Sequence, residues 1–405
     1  MPCSARRSLK NVFNIRVINL SLGRPVYESY TQDPLCQAVE AAWKAGITVV
    51  VSSGNEGRDN SAGKHGYGTI GAPGNDPYVI TVGGMRDMGT ADRTDDLVAS
   101  YSSKGPSAVD HIAKPDLVAP GNQVVALLNQ HGTLALNHPE NIATLAAYRN
   151  PAPAAGNIPV QPSYDAASNK QPPPVKIGSG YSDRYYKMSG TSMAAGVVTG
   201  AVANLLQAAP ALSPDQVKML LMKTASKTFP TASTVVDSAS GQAYTSYYDM
   251  FTVGAGYLDL QAALGLVNEV PSGLTAISPT ASFNEANGNV ELSFDPSSVF
   301  SDQAIWSRYA TASKARWNSS SIWSNSVLDG NTAIWAAGSF WDSSSDSANQ
   351  SSWGASSDSA NKAMWGASTS SANKAMWGAS TDSANKAMWG ASCNTAESLT
   401  IDGDR

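Results

Sequence analysis

Met188-Ser189-Gly190-Thr191-Ser192-Met193-Ala194-Ala195-Gly196 places one serine between a glycine-bearing turn and a helix. Val197, Val198, Ala201, Val202, Leu205 and Leu206 follow, with Gly200 and Ala203 between them. The segment is apolar or small nearly all round, the pattern of a fully buried helix, and Pro210 stops it. The first turn of such a helix has unpaired backbone N–H groups and the positive end of the helix dipole beside it. Ser192 there is a candidate nucleophile, since an oxyanion formed at an attacked carbonyl suits that environment. The competing reading is an N-capping serine before a core helix, because Ser and Thr are preferred caps.

Working outward, residues 14–23 read as a buried strand, and polar residues 24–31 as a loop. Asp33-Pro34 opens a helix with a capping aspartate and proline at the first position, and Val39, Ala42 and Trp43 supply its apolar face. Gly46 ends that helix, and Ile47–Val51 returns as an apolar strand. Strand, helix and strand with short connections make a right-handed parallel crossover. Tyr78–Val82, Asp116–Ala119 and Gln123–Leu127 read as further strands. Residues 128–176 are rich in Pro, Asn, Ala and Gly with no sustained period, which predicts a long surface insertion. Tyr185–Ser189 leads into the serine turn, and Ser213-Pro214-Asp215-Gln216 is a capping box with proline at the first helical position. The fold expected over residues 1–267 is α/β, a parallel sheet flanked by helices.

Residues 268–300 read as a linker with one hairpin, through Val290, Leu292 and Phe294. Residues 301–395 differ in kind. Trp341, Trp353, Trp365, Trp377 and Trp389 recur every 12 residues, and Ser-Ala-Asn-Lys-Ala-Met-Trp-Gly-Ala-Ser stands three times unchanged. Such a repeat fits stacked turns or hairpins whose tryptophans ladder into a thin core, for attachment to a surface or polymer; the alternative is a low-complexity segment with sticky aromatic spots. Residues 396–405 form a tail.

The 405 residues suffice for two or three domains. A net charge of -5 with both signs mixed gives no basic field for nucleic acid, and no apolar run is long enough to cross a bilayer. The first ten residues carry positive charge without an apolar core, so no signal peptide is expected. Cys3, Cys36 and Cys393 are too few and too scattered for a disulfide framework or a metal site.

Val49-Val50-Val51 runs into Ser52-Ser53-Gly54-Asn55-Glu56-Gly57, and Val17–Leu20 into Ser21-Leu22-Gly23. With Gly190-Thr191-Ser192-Met193-Ala194, residues 99–106 and residues 114–121, in that order, the chain resembles the subtilisin-like serine proteases over residues 11–267. The resemblance implies Ser192 as nucleophile and Asn55 as the side chain that helps hold the oxyanion, its Nδ2 aimed across a shared cleft. It implies Ser21, Leu22 and Gly23 with Ser52, Ser53 and Gly54 as edges that hold an extended peptide. A cis proline at Pro73, an extracellular location and a possible calcium ion, with no site identified, belong to the same expectation.

The family's aspartate and histidine motifs are missing. The histidines are His65, His111, His131 and His138. His131-Gly132-Thr133 mimics the histidine motif out of order inside the insertion, and Val236-Asp237-Ser238 mimics the aspartate motif loosely. The expectation is therefore a chain lacking the front of such a domain and weak or inactive by itself, since removing the histidine from a subtilisin site costs on the order of 10⁶ in turnover. Two other classes stay open: a non-catalytic surface protein acting through the tryptophan repeats, and a serine esterase.

Overall fold

The computed structural model describes residues 10, 12–59, 65–90, 92–147, 174–230, 232–237, 240–284, 289–300 and 327–329. Strand β1 (Val17–Leu20) is followed by helix α1 (Pro34–Lys44), β2 (Thr48–Ser52), β3 (Ile80–Arg86), β4 (Leu97–Val98) and β5 (Leu117–Pro120). Then come β6 (Val124–Leu127), α2 (Thr133–Asn137), β7 (Ile142–Thr144), β8 (Tyr181–Met188), α3 (Thr191–Ala208) and α4 (Pro214–Thr224). The rest is β9 (Ala232–Val236), β10 (Ala243–Tyr247), α5 (Met250–Val253), α6 (Leu260–Gly265), β11 (Thr280–Asn284), β12 (Asn289–Ser293) and β13 (Val327–Asp329).

The expected α/β architecture is present. Strands β1, β2 and β3 run parallel, with Ile18 opposite Val49 and Val50 opposite Ile80, and β5 runs parallel to β3. The run Thr48-Val-Val-Val-Ser52 is buried at every position, as a strand covered on both faces must be. Asp33 starts α1 by accepting from the N–H groups of Leu35 and Cys36, and Cys36, Val39, Ala42 and Trp43 turn inward. The capping box forms on α4: Ser213 Oγ accepts from Gln216 N–H at 3.2 Å while Gln216 Oε1 accepts from Ser213 N–H at 3.0 Å. The peptide bond Ala72–Pro73 is cis.

Three expectations need correction. First, α3 is not buried all round. Ala194, Ala195, Val198, Ala201, Val202, Leu205 and Leu206 face the core, but Gly196, Gly200, Ala203 and Asn204 are exposed. Small residues satisfy a buried and an open face alike, so composition alone does not separate them. Second, the described part of the stretch 128–176 is structured. It forms α2 and β7, and Ala135, Leu136, Ile142 and Val175 close a small core with Tyr186 of β8. Its apolar residues are spread over short elements, which hides any period. Third, the stretch 268–300 is no linker. The hairpin of β11 and β12 forms, and Leu274, Ala276, Ala281, Val290, Val299 and Phe300 join the principal core. Val299, wholly buried, donates its N–H to Thr275 O at 2.8 Å. Val299→Ala is expected to lower stability by about 2 kcal/mol in a denaturant titration; a free linker would show no change. Of the region 301–395, β13 pairs antiparallel with β12; the tryptophan repeats lie outside the described residues.

Candidate active site

The carboxyl ends of β1 and β2 and the amino end of α3 meet at one place, where an open α/β sheet takes its ligands. The turn into α3 is held from three sides. Gly190 N–H donates to Gly121 O at 2.8 Å and to Tyr101 Oη at 3.2 Å, while Tyr101 Oη donates to Gly121 O at 2.9 Å. Buried Ser189 accepts from Gln123 N–H at 2.9 Å. Gly190 itself is the residue before the helix, at φ 141° and ψ 157°, with no side-chain cap bond. The N-capping reading of Ser192 is therefore not what the structure has: Ser192 sits in the second helical position, half-buried.

A Cβ at Gly190 would stand 3.4 Å from Asn55 Nδ2 and 3.6 Å from Met193 Sδ, in a backbone conformation that favours glycine. Gly190→Ala is expected to cost about 1–3 kcal/mol, read as a fall in thermal midpoint; an unchanged midpoint would mean the turn relaxes freely.

Asn55 follows the end of β2 and reaches this turn. Its Oδ1 accepts from Thr191 N–H at 3.0 Å and lies 3.0 Å from Thr191 Oγ1. The Thr191 N–H can only donate, so the amide oxygen must face it and Nδ2 is the free end. Asn55 thereby caps α3 from another loop, which fixes its own orientation. Buried Thr191 also accepts from Gly54 N–H at 3.2 Å and lies 3.1 Å from Gly54 O. Among the described residues neither Asn55 Nδ2, Ser192 N–H nor Ser192 Oγ has a hydrogen-bond partner. The next residue, Glu56, has its carboxyl pushed up by burial and then by Asp59.

The two expected substrate edges differ. Ser53 N–H already donates to Val82 O and its carbonyl accepts from Gly71 N–H, both at 3.0 Å. Gly54 O accepts from Ser103 N–H at 3.0 Å. With Ser52 inside β2, the stretch 52–54 has its backbone committed and presents a wall. By contrast, none of the N–H groups of Ser21, Leu22 and Gly23 has a backbone partner among the described residues, nor have the carbonyls of Ser21 and Gly23. Ser21 Oγ donates to Ser192 O at 2.7 Å and accepts from Asn19 Nδ2 at 2.9 Å, and Asn19 Oδ1 accepts from Thr199 Oγ1 at 2.9 Å. That polar chain ties the open edge to α3.

The histidines lie elsewhere. Strand β6 leaves Val124, opposite Met188, and Leu128 N–H reaches Arg184 O, about 13 Å back along β8. His131 is beyond that point and exposed. His138 pairs with Glu140 at 3.2 Å, His65 O accepts from Lys104 Nζ, and burial lowers His111, with Asp110 opposing. Asp237 sits in the turn between β9 and β10, accepting from Ser240, as a surface loop does. Among the described residues no group of three or more His, Cys, Asp or Glu side chains is arranged to hold a metal ion. No helix among them is long and apolar enough to cross a membrane.

An α/β sheet with a serine on the first turn of a helix, and an asparagine docked on that turn from a neighbouring strand end, defines a class of serine-centred sites. Residues 6–247 match the sequence model of the subtilase family, more than half of the chain, and the chain belongs to that family. It is 35% identical over 209 residues to serine protease AprX of Bacillus subtilis, covering 51% of this chain and 37% of that one. It is 34% identical over 139 residues to subtilisin-like protease 2 of Trichophyton verrucosum, covering 33% of this chain and 27% of that one. The chain thus spans about a third of the length of these curated relatives. A solved structure of proteases from Pseudoalteromonas arctica is similar at 23% identity and a TM-score of 0.35, over 62% of this chain and 51% of that chain.

Proposed function

We propose that this chain carries the serine half of an endopeptidase site, in which Ser192 Oγ attacks a peptide carbonyl. The oxygen of that carbonyl, as it gains charge, takes hydrogen bonds from Ser192 N–H and Asn55 Nδ2. The observation behind this reading is that these two donors, at one helix start, have no partner among the described residues, while the rest of the Asn55 amide is bound to Thr191. A donor held before the reaction costs no reorganisation when charge develops. An extended peptide or protein substrate would lie along Ser21–Gly23, adding a strand through the unpaired backbone there, with Ser53 and Gly54 walling the side pocket. Export from the cell and attachment through the tryptophan repeats belong to the same reading and rest on the resemblance and the repeat alone.

No proton acceptor lies in hydrogen-bond reach of Ser192 among the described residues. The serine is accordingly a weak nucleophile by itself, faster on activated esters than on amides. A fluorophosphonate probe tests the assignment over hours in folded protein: labelling at Ser192 that disappears in Ser192→Ala is the expected result. No labelling, or labelling that survives the substitution, would sink it.

A further inference from the structure

At the amino ends of β3 and β5, Lys218 of α4 is wholly buried. Its Nζ lies 2.8 Å from Pro77 O, 3.2 Å from Tyr78 O, 3.1 Å from Val79 O, 2.8 Å from Ser278 Oγ and 3.2 Å from Asp116 Oδ1. An ammonium group has three protons to give, so these five oxygens exceed its directional needs. They form a shell around a charge. Carbonyl, hydroxyl and carboxylate oxygens are the donors that hard cations take. Distances of 2.8–3.2 Å exceed the 2.3–2.6 Å that calcium prefers, which favours a larger ion. Charge points the same way. Buried Lys114 pairs with Asp116 Oδ2 at 2.7 Å, so without Lys218 the cage is formally neutral, and a divalent ion would leave two uncompensated charges in a dry space.

We propose that this cage is a monovalent-cation site that the chain fills with its own side chain. The tethered ion joins the entry to β3, the entry to β5, α4 and the strand-bearing stretch at Ser278, whose N–H also donates to Pro77 O at 3.0 Å. Burial draws Lys218 down to about 7, against the upward pull of Asp116. A pH of 6 lies on the ammonium side of that value.

The test uses the full chain at pH 6 with Lys218→Ala, whose thermal midpoint is followed against ammonium chloride, with choline chloride as the ionic-strength control. The expected result is a lowered midpoint that ammonium restores saturably and choline does not. The parent and Lys218→Met, which refills the space with apolar atoms, should show no difference between the two salts. Adding Ser278→Ala to Lys218→Ala should weaken the apparent ammonium affinity several-fold. Equal effects of both salts, a rescue indifferent to Ser278→Ala, or a Lys218→Ala chain that stays unfolded at every ammonium concentration would each overturn the proposal.

Discussion

Asn55→Asp is expected to slow fluorophosphonate labelling of Ser192 by about 10²–10³-fold, the loss typical of removing one oxyanion donor. The thermal midpoint should stay close to the parent's. On the proposed reading the two readouts separate, because the amide then has two jobs on two atoms. Its oxygen caps Thr191 N–H at 3.0 Å, a bond that a carboxylate keeps and that the helix dipole favours. Its nitrogen is the donor that the aspartate lacks. Asn55→Leu removes both, so it should lose labelling and also about 1 kcal/mol of stability as the cap disappears. If Asn55→Asp labels at the parent's rate, the amide is only a cap, and the oxyanion is held by something else.

Asp116→Ala is expected to be among the most damaging single changes in the molecule, about 3–5 kcal/mol, or roughly 10 °C in thermal midpoint for a domain of this size. Asp116 is fully buried and accepts from Lys114 Nζ and Thr81 N–H at 2.7 Å and from Ser278 Oγ at 2.6 Å, with Lys218 at 3.2 Å. Burial alone would push its carboxyl up; Lys114, Lys218 and the hydrogen bonds outweigh that and hold it below the usual carboxylate range. Truncation leaves two ammonium groups in the interior without the carboxylate that both of them contact. A loss below about 1 kcal/mol would show that the lysines escape to water, and the three charges do not act as a unit.

Much of the site was legible because its residues sit in short runs whose chemistry is local. Asp33-Pro34 and Ser213–Gln216 announce helix starts through their own side chains, and both form. Gly54-Asn55 and Thr191-Ser192 are each identifiable alone, and the structure brings them together. What the chain did not announce are partnerships across long separations. Tyr101 lies inside a stretch that carried the resemblance, yet its hydroxyl reaches Gly190, 89 positions away. Thr191 stands beside Ser192, but nothing in its neighbours tells that it holds Asn55. Lys114, Asp116 and Lys218 look like ordinary charges until three segments close around them. The stretch 268–300 reads as a linker for the same reason. Its Pro, Ser and Asn content describes the backbone, whereas Val290, Val299 and Phe300 are defined by the core they enter.

The open face of α3 bears on how the molecule could be hardened. At Gly196 and Gly200 an added methyl group would meet nothing within 4 Å. Glycine inside a helix costs up to about 1 kcal/mol relative to alanine, largely through the freedom it grants the unfolded chain. Gly196→Ala and Gly200→Ala should each raise the thermal midpoint, within three turns of Ser192 and without touching it. The helix that carries Ser192 thus stops short of its attainable stability at two hydrogens where methyls would fit.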